Sequence, residues 1–316
     1  MIAIRGLSRN VVAGLISLAL TGTAIGDEPP NSELATATTQ PAYVQASELV
    51  KHLNPDKLFL RSSNAIIYDA RDGQILYGRE ENKRTPIASL TKLMTAMVIL
   101  DAKLPLDEVL QIKRADRDRL RGSRSRLPYG TKLTRKDALL IALAASENRA
   151  AAALARTYPG GKKAFVEAMN AKAKELGMDR SHFVDSTGLH DKNVSTAKDL
   201  VKMVEAAHSY ALIREMSTTG RNSITDLRRG REMEFLNTNR LVRRKQWDVE
   251  LSKTGYIAAS GHCLVMQATI ADRPLVIVLL NSWGKLSKFG DANRIKRWLI
   301  RTEDKVQRLH DQFASS

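Results

Sequence analysis

The stretch Pro86–Met97 has the hydrophobic pattern of a helix and reads Pro-Ile-Ala-Ser-Leu-Thr-Lys-Leu-Met-Thr-Ala-Met. Apolar spacings of three and four residues predict a helix, here running to about Leu100. Ser89 stands at its start, in the position that an N-cap residue prefers, and Lys92 follows about one turn later on the same face. The apolar residues with this spacing are Leu90, Leu93, Met94 and Met97.

Apolar runs near both ends of the chain predict strands, and helix-period segments fill the middle. The predicted strands are Ala65–Asp69, Gln74–Tyr77, Glu250–Thr254, His262–Ile270 and Leu275–Asn281, with short strands also within Glu215–Leu236. The other predicted helices are Ala46–Leu53, Thr134–Ala145, Glu147–Tyr158, Phe165–Leu176, Thr196–Tyr210 and Asp291–Ile300. Strands at both ends with helices between them predict an α+β fold. The N-terminal hairpin would complete one antiparallel sheet with the C-terminal strands, and the central helices would form a lobe on one side.

The N-terminus predicts export from the cytoplasm. Arg5 and Arg9 precede the apolar stretch Val11–Leu20, and Ala24 and Gly26 place small residues where a signal peptidase reads the chain. The apolar run is short for an uncleaved anchor, so no integral membrane segment is expected after cleavage. The predicted divisions are a signal peptide at 1–26, a linker or N-terminal extension at 27–56, a folded domain at 57–302 and a charged tail at 303–316.

The chain is strongly basic, with a formal net charge of +16 that removal of Arg5 and Arg9 would lower to +14. Such a charge attracts anionic partners. No nucleic-acid signature accompanies it, and an exported protein is better matched to a polyanion of the cell envelope. Ten Lys or Arg residues against two Asp lie in Lys113–Lys136, which is either a solvated surface or a basic rim that attracts an anionic substrate.

The cysteine and histidine residues predict no metal site and no cofactor. The one cysteine, Cys263, lies in an apolar strand pattern and is expected to be a buried thiol. The six histidines lack the spacing of zinc ligands.

Ser89 and Lys92 suggest nucleophilic catalysis. A serine hydroxyl needs a base, and a lysine can be that base only when it is neutral, which burial would achieve. A pKa shift of about three units corresponds to roughly 4 kcal/mol, whereas a helix N-terminus supplies about 0.3–1 kcal/mol. Desolvation of Lys92 would therefore be the main activating effect. The alternative is a capping serine beside a surface lysine, since Ser-x-x-Lys also occurs at Ser195–Lys198 and Ser282–Lys285.

Three short motifs in a fixed order favour the catalytic interpretation. They are Ser89-Leu90-Thr91-Lys92, Ser146-Glu147-Asn148 and Lys253-Thr254-Gly255. This order, with Ser-Asp-Asn in the middle, is typical of class A β-lactamases and penicillin-binding proteins. The third motif lies on a predicted strand, where glycine lets a substrate backbone come close and Lys253 with Thr254 can hold a carboxylate.

The chain resembles the low-molecular-weight penicillin-binding proteins, the serine D-alanyl-D-alanine carboxypeptidases and endopeptidases, from about Ala65 to Leu299. Ala144–Ala151, with Glu147 in the middle motif, and Asn237–Val242 are most similar to the endopeptidase branch. The carboxypeptidases usually carry a β-rich second domain after this region, which is not expected here. The segments that carry the resemblance, beyond the three motifs, are Thr187–Leu189, Ser195–Leu200, Asn237–Val242 and Gly261–Val265. The resemblance implies the β-lactamase/DD-peptidase fold, an antiparallel five-stranded sheet flanked by helices plus a helical lobe.

The resemblance also implies roles for individual residues. Ser89 would form the acyl-enzyme, Lys92 would take its proton, and Ser146 would pass a proton to the leaving amine. The expected substrate-binding residues are Asn148, Lys253, Thr254, Gly255 and Tyr256, with the backbone N–H groups of Ser89 and Tyr256 forming the oxyanion hole. The expected partners are peptidoglycan peptide stems and β-lactam antibiotics as covalent inhibitors, with other cell-wall hydrolases as candidate partners, and the expected compartment is the periplasm.

Three other functions stay open at this point. A D-alanyl-D-alanine carboxypeptidase would use the same motifs. A β-lactamase is less favoured because no Glu-x-x-Leu-Asn segment supplies a deacylating base. A non-catalytic protein that binds the cell envelope would explain the basic segment Lys113–Lys136 but not the intact catalytic set.

Overall fold

The computed structural model describes residues 44–314, so the predicted signal peptide and the first part of the predicted linker lie outside the described residues. The helices in this range are α1 (Ala46–His52), α2 (Thr91–Asp101), α3 (Arg135–Ala144), α4 (Asn148–Arg156), α5 (Gly161–Glu175), α6 (Ala197–His208), α7 (Ala211–Thr218) and α8 (Ser287–Ala314). The strands are β1 (Ser62–Asp69), β2 (Gln74–Arg79), β3 (Thr85–Pro86), β4 (Val109–Gln111), β5 (Lys132–Thr134), β6 (Val194–Ser195), β7 (Arg221–Asp226), β8 (Arg231–Leu236), β9 (Asp248–Ile257), β10 (Gly261–Ile270) and β11 (Arg273–Ser282).

The main sheet has five strands in the order β2-β1-β11-β10-β9, and every neighbouring pair is antiparallel. The N-terminal hairpin β1–β2 therefore joins the C-terminal strands in one sheet, which confirms the predicted α+β architecture. Strand β9 lies at one edge of the sheet and carries the Lys-Thr-Gly motif.

The alternating apolar residues of the central strands build two cores, because successive side chains point to opposite faces of a sheet. On β11, Val276 and Val278 pack with the central helices, whereas Leu275 and Ile277 pack with α8 on the other face. Cys263 lies on the helical side and is fully buried, as predicted.

The helical lobe is built around α2. Every residue of this helix from Thr91 to Ile99 is buried, because α3, α4, α5 and α6 surround it. Any polar side chain on α2 must therefore find partners inside the protein.

Three local predictions were wrong. Ser89 does not cap α2: it lies in a 3₁₀ turn, Ala88–Leu90, that has no side-chain cap. The first part of Glu215–Leu236 belongs to helix α7, and only the rest forms the hairpin β7–β8. The final helix does not end at Ile300 but continues to Ala314, so most of the predicted charged tail is helical.

The extension of α8 has an identifiable anchor. Glu303 accepts a hydrogen bond of 2.8 Å from Nε of Arg273, whose buried guanidinium also contacts Asp69. Val306, one turn further along α8, is fully buried in the core that α8 forms with the sheet. Among the described residues, no helix combines the length and the apolar composition needed to cross a bilayer.

Candidate active site

Ser89 lies on a tight turn between β3 and α2. Ala88 before it has φ +47°, in the left-handed region that is costly for a residue with a Cβ atom. The carbonyl oxygen of Ala88 accepts a 2.7 Å hydrogen bond from the hydroxyl of Thr91. The turn therefore fixes the position of Ser89 at the start of the buried helix.

Lys92 is 1% exposed, and its amine reaches three oxygen atoms. Nζ lies 2.8 Å from Oγ of Ser89, 2.7 Å from Oδ1 of Asn148 and 2.7 Å from the carbonyl oxygen of Thr187. A neutral amine has two hydrogens to donate, to Asn148 and Thr187, and one lone pair to accept the hydroxyl proton of Ser89. This arrangement suits a general base that activates a serine.

Burial makes the neutral amine accessible near neutral pH. Desolvation lowers the pKa of Lys92 from 10.5 to about 7, although the carboxylates of Asp185, Glu147 and Asp118 act in the opposite direction. Burial is the largest cause, as expected from the sequence, because a charged ammonium is costly where water is excluded.

Asn148 is the first residue of α4 and is oriented from both sides. Its carbonyl oxygen accepts from Lys92, and its NH₂ group donates to Oγ of Ser123 at 2.9 Å. Glu147, the N-cap of α4, accepts from the backbone N–H of Arg149 through its side chain. Asn148 of the second motif therefore forms a direct hydrogen bond with Lys92 of the first motif.

Ser146 occupies the bend between α3 and α4. Its φ of +62° lies in the left-handed region, where glycine is the usual residue at a helix end. The backbone N–H of Glu147 closes this bend with a 3.0 Å bond to the carbonyl oxygen of Ile141. A serine at such a position costs stability that a glycine would not, which is typical of functional sites.

The Lys-Thr-Gly motif on β9 faces the same region. Lys253 is 1% exposed, and burial lowers its pKa well below 10.5, with the nearby charge of Lys92 lowering it further. The hydroxyl of Thr254 donates to that of Thr238 at 2.7 Å, and the backbone N–H of Thr238 donates to the carbonyl oxygen of Ala144 at 2.9 Å. Thr238 therefore links the third motif to the end of α3, two residues before Ser146.

Two glycines allow β9 and a distant loop to close around the turn of Ser89. A Cβ atom added at Gly255 would lie 3.0 Å from the backbone nitrogen of Ser89. One added at Gly188, which has φ +79°, would lie 1.9 Å from the carbonyl oxygen of Ala88. Gly188 leaves no room for a side chain, whereas at Gly255 a side chain would require the backbone of Ser89 to shift by a few tenths of an ångström. Tyr256, the next residue of β9, is 59% exposed and stacks on His262 at 4.2 Å between ring centroids.

The other two Ser-x-x-Lys sequences have no such surroundings. Ser195 is buried against Ser181, and Lys198 is exposed. Ser282 bonds to Ser62, and Lys285 is exposed. Within residues 44–314, no group of three or more His, Cys, Asp or Glu side chains has the geometry of a metal site.

The site also contains residues that sequence reasoning did not single out. The carbonyl oxygen of Thr187 and the hydroxyl groups of Thr238 and Ser123 all hold catalytic candidates in place. Thr187 and Thr238 lie in segments that resemble the penicillin-binding proteins, so this resemblance could have pointed to both residues. Ser123 lies in a basic loop without any signal for its contact with Asn148.

Comparison with known sequences agrees with this geometry. Residues 51–284 match the D-alanyl-D-alanine carboxypeptidase family. The chain is 47% identical over 256 residues to a D-alanyl-D-alanine endopeptidase of Pseudomonas aeruginosa, which covers 81% of this chain and 83% of that protein. It is 46% identical over 240 residues to a D-alanyl-D-alanine endopeptidase of Escherichia coli, which covers 76% of this chain and 77% of that protein.

Solved structures show the same fold. The Streptomyces K15 DD-transpeptidase matches with a TM-score of 0.71 at 27% identity, covering 77% of this chain and 98% of that one. The cefotaxime-bound form of penicillin-binding protein D2 from Listeria monocytogenes matches with a TM-score of 0.67 at 27% identity, covering 77% and 98%. The fold and the assembled motifs are those of a serine DD-peptidase. The chain belongs to the D-alanyl-D-alanine carboxypeptidase family of peptidases.

The burial of Lys92 predicts a pH dependence of acylation. With the neutral amine of Lys92 as the expected base and a pKa of about 7, we expect the acylation rate to rise as pH increases through about 7. Glu147→Gln keeps the size of the N-cap side chain but removes a negative charge that raises the pKa of Lys92. This variant should therefore reach its full rate at lower pH.

The measurement is the rate of acylation by a fluorescent penicillin between about pH 5.5 and pH 8.5. A rising limb in this pH–rate profile reports the pKa of an essential base of the free enzyme. Glu175→Gln is the matched control, since Glu175 is an exposed glutamate at the end of α5. A flat profile, or equal shifts in both variants, would contradict the assignment of Lys92 as the base.

Proposed function

We propose that this protein is a serine DD-endopeptidase that hydrolyses D-alanyl cross-links in peptidoglycan through an acyl-enzyme. The observation that carries the proposal is the buried amine of Lys92, which lies 2.8 Å from Oγ of Ser89 and is held by Asn148 and Thr187. The hydrogen bond between Lys92 and Asn148 joins the first two motifs. The close approach of Gly255 to Ser89 brings the third motif, Lys253–Gly255, to the same place.

The geometry supports a defined sequence of steps. Oγ of Ser89 attacks the D-alanyl carbonyl carbon while its proton passes to Nζ of Lys92. The bond to the leaving amine breaks, and the amine takes a proton from the hydroxyl of Ser146, with Lys253 assisting. Ser146 regains a proton from the ammonium of Lys92, which returns Lys92 to its neutral form. Water then attacks the ester carbonyl carbon and gives one proton to Lys92, the bond to Oγ of Ser89 breaks, and Ser89 takes that proton as the acid product is released. Backbone N–H donors stabilise the developing oxyanion, and the loss of one such donor costs about 10²–10³ in rate.

Substrate binding uses the other proposed residues. The amide of Asn148 bonds the peptide of the substrate as well as Lys92. Thr254 and Lys253 hold a carboxylate on the leaving side, since charge-assisted hydrogen bonds are the stronger kind. The N–H groups of Ser89 and Tyr256 form the oxyanion hole. The low pKa of Lys253 fits a group that regains its charge beside an anionic substrate.

The preference for cross-links rests on the relatives. The proteins at 47% and 46% identity are named endopeptidases, whereas a relative from Bacillus subtilis that is named a carboxypeptidase is 31% identical over 231 residues. Sensitivity to β-lactams is part of the proposal, because penicillin-binding protein D2 of Listeria monocytogenes has ampicillin- and cefotaxime-bound forms. The periplasm is the proposed compartment, on the basis of the predicted signal peptide at 1–26.

A digest of defined muropeptides tests the function. The protein is incubated with a cross-linked dimer and, separately, with a monomeric pentapeptide, and products are separated by chromatography. An endopeptidase converts the dimer to monomers faster than it removes D-alanine from the pentapeptide, and penicillin blocks both reactions. The reverse preference would identify a carboxypeptidase. Binding to sacculi without released products would leave only the envelope-binding alternative.

A further inference from the structure

A groove lies between the middle of helix α8 and helix α1 with the turn that follows α1, and we call it the α1–α8 groove. Its volume of about 710 Å³ is within the size range of ligand sites. The indole N–H of Trp298 donates to the carbonyl oxygen of Asn54 at 3.0 Å and so links the two sides of the groove. The side chain of Phe59, which also lines the groove, is 71% exposed. The groove is therefore part of the folded structure and presents an aromatic ring to solvent.

The α1–α8 groove is separate from the catalytic candidates. The ring of Trp298 packs edge-on against Tyr77 of β2, at 6.2 Å between ring centroids. Strand β2 is the edge strand opposite β9, and four strand spacings of about 4.8 Å lie between these two edges. Helix α8 also packs on the face of the sheet that the helical lobe does not cover. A ligand in this groove therefore leaves the cleft around Ser89 free.

The lining of the groove is strongly basic. It contains six Lys or Arg side chains and no Asp or Glu. Two exposed carboxylates, Asp56 and Asp304, are adjacent to lining residues in the sequence but are not part of the lining. The six cations are Lys51, Lys57, Arg294, Arg297, Arg301 and Lys305.

Most of these cations are not neutralised by the protein. Lys51 is paired with Glu48 at 2.7 Å, and Arg294 is paired with Asp291. The other four cations of the lining are exposed, and within residues 44–314 their side chains have no ion-pair or hydrogen-bond partner. Four positive charges are therefore available to a ligand.

The cations of α8 form a row along one face of the helix. Arg294, Arg297, Arg301 and Lys305 follow one another at spacings of three and four residues, which places their side chains on the same face. At 1.5 Å per residue, this row is about 16 Å long. Lys57 lines the opposite side of the groove. A row of this length exceeds a single carboxylate or phosphate group and suits a chain that carries several negative charges.

The shape and chemistry of the groove favour an acidic polymer. A concave site lined by one sign of charge concentrates the electric field and attracts ligands of the opposite sign, and the planar guanidinium of arginine matches the geometry of carboxylates. A flat bilayer surface would contact protruding residues more readily than the inside of a groove. Peptidoglycan, the substrate of the proposed function, carries carboxylates on its peptide stems. Its sugar rings also offer apolar faces to an exposed aromatic side chain such as that of Phe59.

We propose that the α1–α8 groove is a second, non-catalytic binding site for peptidoglycan, which holds an acidic strand of the sacculus while the cleft around Ser89 cuts a cross-link. The proposal rests on the function proposed above. The four available cations pair with carboxylates of the stems, and Phe59 packs against a sugar ring. Binding at two places raises the effective concentration of cross-links at Ser89. The groove therefore promotes action on the intact sacculus and does not affect a soluble muropeptide.

The test measures binding and hydrolysis separately on the chain without its predicted signal peptide. Binding is measured by pelleting with purified, protein-free sacculi in the presence of penicillin, which blocks the cleft. Hydrolysis is measured on a soluble cross-linked dimer and on the sacculi, and a fluorescent penicillin reports whether the site around Ser89 is intact. The variant is Arg297→Glu/Arg301→Glu, and Arg297→Gln/Arg301→Gln is a milder second variant.

The matched control is Lys174→Glu/Lys198→Glu. It has the same change in net charge, and both lysines are exposed, lie on other helices and are outside the groove. The groove variant should bind sacculi about tenfold more weakly, as expected when two exposed charge pairs become repulsive. The glutamine variant should show a smaller loss, and the control should stay within about twofold of the parent. Dimer hydrolysis and penicillin labelling should stay within about twofold in every variant.

The chemistry of the ligand is tested with the parent protein. Binding should weaken when the carboxyl groups of the sacculi are amidated with methylamine, because the proposed partners of the cations are then neutral. Binding should also weaken as salt increases from about 50 mM to 300 mM, since salt screens exposed charges. Vesicles of phosphatidylglycerol and phosphatidylcholine are pelleted in parallel.

Four results would overturn the groove proposal. They are normal sacculus binding by the groove variant, an equal loss in the groove variant and the control, undiminished binding of the parent to amidated sacculi, and a loss confined to the vesicles. The second would show attraction by net charge alone, and the last would assign the groove to a lipid surface. Failure of the proposed function is a different result, in which the parent releases nothing from the soluble dimer, whatever its binding to sacculi.

Discussion

Ser89→Ala is expected to abolish covalent labelling by penicillin and to lower muropeptide hydrolysis by a factor on the order of 10⁴ or more, as removal of a catalytic serine does. Oγ of Ser89 is the hydroxyl that the buried amine of Lys92 contacts, at 2.8 Å. The substitution removes one atom that faces the site and leaves the helix α2 packed as before. Labelling is measured on gels with a fluorescent penicillin, and folding is measured by thermal unfolding.

The chain supplies its own control for this variant. Ser195 begins another Ser-x-x-Lys sequence, is fully buried, and shares a hydrogen bond with Ser181. Ser195→Ala should therefore keep full labelling, with a stability loss of about 1 kcal/mol from the missing hydrogen bond. Labelling that persists in Ser89→Ala, or disappears only in Ser195→Ala, would remove Ser89 as the nucleophile.

Lys92→Met is expected to slow acylation by about 10²–10⁴, the usual contribution of a general base. Methionine matches the length of the lysine stem and suits the apolar surroundings of α2. It removes the acceptor for the proton of Ser89 and the donor for Asn148 and Thr187. The rise in rate through about pH 7 should disappear with the residue that causes it.

Stopped-flow acylation with penicillin across the pH range measures both effects. Lys198→Met is the control, because Lys198 has the same spacing from a serine but is exposed. An unchanged pH profile in Lys92→Met would mean that another group, such as the buried amine of Lys253, takes the proton. Circular dichroism separates loss of the base from loss of the fold.

The period of the apolar residues was enough to predict most of the architecture. The apolar runs of β10 and β11 predicted strands, and because successive side chains point to opposite faces of a sheet, these strands contribute to both cores of the structure. The helix α2 and the burial of Lys92 were predictable for the same reason, since apolar residues surround Lys92 along its own helix. Local sequence patterns determine such features because they depend on neighbours within one or two turns.

Local patterns failed where a distant contact decides the backbone. Ser89 has the sequence of an N-cap, but the turn before α2 is shaped by Gly188 and Gly255, which press against Ala88 and Ser89. Helix α7 was missed because its buried residues, such as Ile213 and Met216, are few and follow another helix closely. The end of α8 was predicted too early, because Arg273 of β11 donates a hydrogen bond to Glu303 and so anchors the charged segment that continues the helix.

The sequence by itself determined the fold class, the family motifs and a lysine in an apolar helix one turn from a serine. The Ser-x-x-Lys spacing alone did not distinguish Ser89 from the serines at 195 and 282, and the ordered motifs at Ser146–Asn148 and Lys253–Gly255 were what singled it out. Only the tertiary structure brings Asn148 and Thr187, 56 and 95 residues away, to the amine of Lys92. The physical reason is desolvation: a lysine becomes a base only where distant segments exclude water and supply the hydrogen-bond partners that its neutral form needs.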